Sequence, residues 1–163
     1  MRLGQLARYA NVPITDYRHL ARSLALQILY ELDSTTHTRD EVVRTRLESE
    51  GVRLETRQLV TRLVDGVLEH RDALNVLIRR YTPERSLDLL AVVDRNILRM
   101  AVYELAFERE TPVKVVINEA VELAKLYGAE ATARFVNGVL GSLATHEPDL
   151  AAVLLGSAGH DSQ

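Results

Sequence analysis

Five histidines and a pair of carboxylates are the residues here that most readily do chemistry, and their spacing does not assemble them into a reactive site. His19, His37, His70, His146 and His160 are dispersed, and no two stand four apart as a zinc site on one helix face requires. Glu119 and Glu122 share one helix, where a solvated charged face accounts for them. No P-loop, GxGxxG or Gly-x-Ser-x-Gly elbow occurs. Gly138-Val-Leu-Gly141 has the bare GXXG pattern of a KH loop. That loop is polar and joins two helices, whereas this Val-Leu pair continues an apolar stripe. The absence of cysteine removes disulfides and thiolate metal sites, and is compatible with a reducing compartment. These features favour a binding protein over an enzyme, with no catalytic residue, no metal and no cofactor.

The elements that would position any binding residues read as helices throughout. Residues 93–108, VDRNILRMAVYELAFE, place Ile97, Leu98, Met100, Ala101, Val102, Tyr103, Leu105, Ala106 and Phe107 at nearly every angle of a helical wheel. A helix apolar on almost all sides must be covered on almost all sides, so this one is expected at the centre. Before it, Asp16 can cap a helix that buries Ala21, Leu24, Ala25, Ile28, Leu29 and Leu32. Its opposite face carries His19, Ser23, Gln27 and Tyr30, with Arg18 and Arg22 to one side. Thr38 and Glu41 form a capping-box pattern that opens a second, more polar helix ending near Gly51.

A third helix buries Leu59, Val60, Leu63, Val64, Val67 and Leu68, and a fourth carries Leu74, Leu77, Ile78 and Tyr81 before Thr82-Pro83. After the central helix, Thr111-Pro112 starts another, with Val113, Val116, Ile117, Ala120, Val121, Ala124 and Tyr127 on its apolar face. Lys114, Asn118, Glu122 and Lys125 fall away from that face, and Gly128 ends the helix. The last main helix buries Phe135, Val136, Val139, Leu140 and Leu143, with Gly138 and Gly141 expected to admit a close neighbour. The reading is an all-α chain of seven to eight helices. A flexible arm is expected at 1–15, a helical domain at 16–145, and a short C-terminal extension with a polar tail at 146–163.

Composition agrees with one domain of ordinary size. The 163 residues are 47% apolar and 26% charged, with a formal charge of −3. That charge excludes a wholly basic nucleic-acid coat but leaves room for a local basic strip. No apolar run approaches the ~18 residues of a membrane span, and no signal-peptide core is visible, so a cytoplasmic location is expected.

Three stretches carry a family resemblance: ARSLALQILYELD near the start, VDRNILRMAVYEL in the centre, and TPVKVVINEAVELAKLYGAE…RFVNGVLG near the end. Over roughly residues 17–145 the chain resembles the NusB family of bacterial transcription antitermination factors. The resemblance implies two small helical bundles in a single compact domain. It also implies binding of boxA-type single-stranded RNA together with the ribosomal protein NusE, within a complex on RNA polymerase during rRNA transcription.

By the same resemblance, Arg18 and Arg22, Lys114 and Lys125, and Arg134 are candidate phosphate contacts. Asn118 would meet a base edge and Tyr127 offer a stacking surface. Phe135 aligns with a family aromatic, although its place in the apolar stripe favours core packing. Tyr30, Asp88 and Asp94 are the residues implied to face NusE. Asp94 also suits a structural role, because a carboxylate in a helix's first turn gains ~0.3–1 kcal/mol from the macrodipole.

Two departures from the family pattern act in opposite directions. Arg18-His19-Leu20-Ala21-Arg22 is sparser than the usual arginine cluster, unless Arg2 and Arg8 compensate, and Ala131 stands where an acidic or polar residue is common. Two alternatives stay open: a homodimer that masks its RNA face, and an RNA-docking accessory in rRNA modification or ribosome biogenesis.

Overall fold

Apolar residues three and four apart fold into eight α-helices, with no strand, among residues 17–48 and 51–158 that the computed structural model describes. The expected arm 1–15, the Asp16 cap and the end of the tail lie outside those residues. In chain order the helices are α1 (Tyr17–Ser34), α2 (Arg39–Glu48), α3 (Leu54–Glu69) and α4 (Arg71–Tyr81), then α5 (Val92–Phe107), α6 (Val113–Tyr127), α7 (Thr132–His146) and α8 (Leu150–Ala158). A 3-10 turn, Leu87–Leu89, precedes α5. The helices fall into two compact units, the division lying between Asp65 and Gly66 inside α3.

In the first unit, α1 and α2 pack together, and the capping box reads as expected. The Thr38 amide donates to Glu41 Oε2 at 3.0 Å, and the Glu41 amide to Thr38 Oγ1 at 3.3 Å, which satisfies two donors that begin α2. Arg39 then grips Asp65 of α3 through Nε and Nη2, both at 2.9 Å, a bidentate fork. Gly51 takes the left-handed backbone, φ 57°, in the turn between α2 and α3.

One face of α1 departs from expectation. Ser23 and Gln27, placed on the solvent side by periodicity, are buried, and so is Arg22. The reason is visible in α2: Arg46 donates to Gln27 Oε1 at 3.0 Å and reaches Glu31 Oε2 at 3.3 Å. A polar residue can sit inside when its hydrogen bonds are met there.

In the second unit, α5 packs against α4, α6, α7 and α8. Ile97, Leu98, Met100, Ala101, Val102 and Ala106 are buried, while Tyr103, Leu105 and Phe107 are half-buried. Asp94, Arg99 and Glu104 are buried as well. Arg99 donates from Nε to Asn75 Oδ1 of α4 at 2.8 Å and from Nη1 to Asn96 Oδ1 at 3.4 Å.

The close-packing glycine is also a different one. Nothing approaches a Cβ built on Gly138 or Gly141, so those two do not admit a neighbour. A Cβ on Gly66 would collide with the Tyr103 ring, so the tight contact lies between the end of α3 and α5. On α6, Val113 is exposed rather than buried, because it is the first helical residue, and Leu123 takes a core position instead.

Residues 150–158 of the expected C-terminal extension form α8. Asp149 Oδ1 caps α8 by accepting from the Ala152 amide at 3.1 Å. Tyr81 donates to Glu147 Oε1 at 2.9 Å, which joins the end of α4 to the α7–α8 corner. Leu150 and Leu154 anchor α8 in the core of this unit.

Candidate nucleic-acid and partner interface

The residues implied to bind RNA separate by unit and by exposure. In the second unit, α6 and α7 pack side by side and share a corner at Gly128–Ala131. Lys114, Asn118 and Lys125 are exposed on α6, with Glu122 in the same row. Spacings of four, four and three residues keep such side chains on one helix face. Lys125 Nζ lies 3.2 Å from Glu122 Oε1, both side chains solvated, so this lysine is matched to a carboxylate that sequence reasoning had set aside. Tyr127, the last residue of α6, is half-buried, and Arg134 on α7 is exposed. Phe135 is half-buried, and Arg85 lies over its ring at 5.3 Å from the centroid.

In the first unit, Arg18 is exposed at the start of α1, donating to Tyr17 Oη at 3.2 Å and stacking on that ring at 5.6 Å. Arg22 is only 4% exposed and already engaged within the protein. It is therefore not the surface cation that the α1 wheel suggests. Tyr30 is half-buried.

The turn before α5 is closed by backbone and side-chain bonds in the second unit. Leu87 and Leu90 point inward, and their backbones close the 3-10 turn, with the Leu90 amide donating to Leu87 O at 3.2 Å. Arg95 Nη1 adds a bond to the same carbonyl at 3.4 Å. Asp88 and Leu89 point outward, Leu89 being 84% exposed. That leucine is a functional candidate missed by periodicity, since a three-residue turn has too few positions to show a face.

Asp94 is placed differently from Asp88. It is 9% exposed, and its Oδ1 accepts a hydrogen bond from Thr132 Oγ1 of α7 at 3.1 Å. The same hydroxyl accepts from the Ala129 amide at 3.1 Å. Burial holds the Asp94 carboxyl above its ordinary value, and the Thr132 bond and the nearby Arg85 charge offset this only in part.

A raised folded-state value means that folding favours the neutral form. Asp94's stabilising contribution is therefore complete below the unfolded value and lost as pH rises through the folded one. Asp94→Asn stays neutral and can still accept from Thr132. It is expected to unfold at a higher temperature than the parent at neutral pH, with the difference closing toward the ordinary carboxyl value of 3.8. Thermal unfolding of both proteins across that range checks this; a gap that does not change with pH would refute it.

Among the described residues, no group of three or more His, Asp or Glu side chains could hold a metal ion, and no helix is long and apolar enough to cross a membrane.

Comparison with known proteins follows the same lines. Residues 19–145 match the model of the NusB family. The transcription antitermination protein NusB of Chloroflexus aggregans is 43% identical over 136 residues, covering 82% of this chain and 91% of that protein. The solved structure of T. maritima NusB superposes with a TM-score of 0.75 at 35% identity, covering 79% of this chain and 91% of that one. A crystal structure of the antitermination factors NusB and NusE in complex with dsRNA gives 0.73 at 30% identity, covering 79% and 96%.

Proposed function

The chain belongs to the NusB family, and from that premise we propose that it binds boxA-type single-stranded RNA together with NusE and acts on RNA polymerase during rRNA transcription. It is an antitermination factor and not an enzyme. The observation that carries the RNA reading is the row on α6, where Lys114, Asn118 and Lys125 are exposed together, with Arg134 exposed on the adjoining α7. Cations hold phosphates and an amide meets a base edge, which is the chemistry a single strand needs. Such a complex works in the cytoplasm. Filter binding of boxA-like RNA with and without NusE tests the reading, and RNA bound no better than a scrambled strand in both conditions would end it.

We assign NusE contacts to the outward Asp88 and Leu89 of the second unit and, separately, to Tyr30 on α1 of the first. Asp94, buried in the first turn of α5, enters through its bond to Thr132. Asp88→Lys is expected to weaken NusE binding about tenfold. Because an exposed charge acts mostly on the encounter, the loss should shrink as salt rises. Unchanged calorimetric affinity in the folded variant would remove Asp88 from the interface.

A second reading is favoured by the apolar margin of α6. Val113, Val115 and Leu126 are exposed beside the cationic row, and a second copy of the chain covering them would mask the RNA face. Light scattering decides it: a dimer that RNA and NusE convert to a heterocomplex supports masking, and a monomer at all concentrations excludes it.

A further inference from the structure

We propose that the Thr132 hydroxyl is a positioning bridge, through which NusE docking at the segment 87–94 holds the α6–α7 corner in the shape that receives RNA. The inference rests on the RNA and NusE reading above and assigns to it a route of coupling.

The bridge is one hydroxyl used twice. It accepts from the Ala129 amide in the corner and donates to Asp94 Oδ1 at the start of α5, each bond 3.1 Å long. With the amide on its oxygen, the single hydroxyl proton is directed at the carboxylate. The group is buried, so breaking either bond leaves a polar atom without water to replace its partner.

The corner is closed directly on this residue. A Cβ added at Gly128 would lie 2.7 Å from both Cβ and Cγ2 of Thr132. Lys125 and Tyr127 stand just before that glycine, and Arg134 follows two residues after the threonine. A displacement of Thr132 is therefore a displacement of the groups that flank it on both helices.

The other end of the bridge is next in the chain to a residue that holds the partner-facing turn. Asp94 is in the first turn of α5, and the neighbouring Arg95 holds the Leu87 carbonyl of the turn that presents Asp88 and Leu89. A second tie runs in parallel, since Arg85 of the preceding loop lies over the Phe135 ring, next to Arg134. Two separate contacts thus connect the loop after α4 and the first turn of α5 with the beginning of α7. A partner that immobilises this segment lowers the ordering cost left for RNA, which is cooperativity without a large change of shape.

The test measures RNA affinity with and without saturating NusE and takes the ratio. For the parent chain that ratio is expected to be roughly fivefold or more. Thr132→Val keeps the shape but not the hydroxyl, and should bring the ratio below about twofold. Thr132→Ser retains the hydroxyl and should retain the ratio. Asp94→Asn retains the acceptor and should behave as the parent, whereas Asp94→Ala should behave as Thr132→Val.

NusE affinity in the absence of RNA should stay level between the parent, Thr132→Val and Thr132→Ser, which separates a bridge from a simple loss of the docking surface. Should Thr132→Val not fold, Asp94→Ala interrogates the same bond from its other end. A folded Thr132→Val with the parental ratio overturns the bridge, as does an Asp94→Asn that loses it. A parent chain that binds RNA and NusE without any mutual gain also overturns it and leaves the RNA reading standing. A parent chain that binds no RNA overturns both.

Discussion

Val102→Asp is expected to abolish cooperative unfolding of the second unit. Val102 is 0% exposed on α5, a helix packed by four others of its unit. A carboxylate there loses its water, and unpaired buried charge belongs to the few mechanisms that cost about 4 kcal/mol or more. Domains of this size are stable by only about 5–15 kcal/mol, so the loss consumes much of the total.

Buried charge as such is not forbidden on this helix, which makes the prediction a sharp one. Asp94 and Arg99 lie on the same α5, and each is hydrogen-bonded, Asp94 to Thr132 and Arg99 to Asn75 and Asn96. Pairing decides the outcome, and a carboxylate newly placed at the fully buried Val102 position has no such hydrogen bond built for it. Val76→Asp is the control, because Val76 is exposed on α4 and its variant should melt close to the parent. Thermal unfolding by circular dichroism compares them, and a Val102→Asp protein that melts where the parent does would mean that α5 is not buried as described.

How much of this was legible beforehand depends on what each residue answers to. The stripe of α3 was readable because Leu59, Val60, Leu63, Val64 and Val67 are apolar and buried for that reason alone. The capping box was readable because its two bonds are local, Thr38 to Glu41 and back. Arg22, Ser23 and Gln27 were not. Periodicity assigns polar residues to solvent, and only the arrival of Arg46 from α2 makes the inner position of Gln27 favourable. Gly138 and Gly141 misled for a related reason, since a glycine in a helix says that a neighbour can approach, never that one does.

The candidate site divides along the same line. Lys114, Asn118 and Lys125 could be placed on one exposed row of α6 because the spacing sets the face. The pairing of Lys125 with Glu122 follows from that spacing too, but its bearing on RNA emerges only once the row is read as a phosphate-binding surface. Asp94 had two plausible roles on sequence grounds. Its burial and its bond to Thr132, thirty-eight residues away, depend on how α7 packs on α5, which no local pattern encodes.

The second large effect belongs to that row. If Lys114, Lys125 and Arg134 hold phosphates, RNA affinity should fall with salt at a log–log slope of about −2, from ~0.7 per contact. Arg18, exposed on α1, would steepen the slope by a further contact if it too is engaged. Lys125→Ala with Arg134→Ala should make the slope shallower by about 1.4 and weaken cognate and scrambled RNA alike, since phosphates carry no base information. Asn118→Ala should act in the opposite sense, eroding the preference while leaving the slope in place. Glu122→Gln supplies the counter-test: removing its charge frees Lys125 and relieves repulsion of the strand, so affinity should rise most at low salt, where an exposed ion pair is least screened. Filter binding over a salt series measures all three variants together. A salt-independent affinity, or a double variant that binds as the parent does, would take α6 and α7 out of the RNA interface.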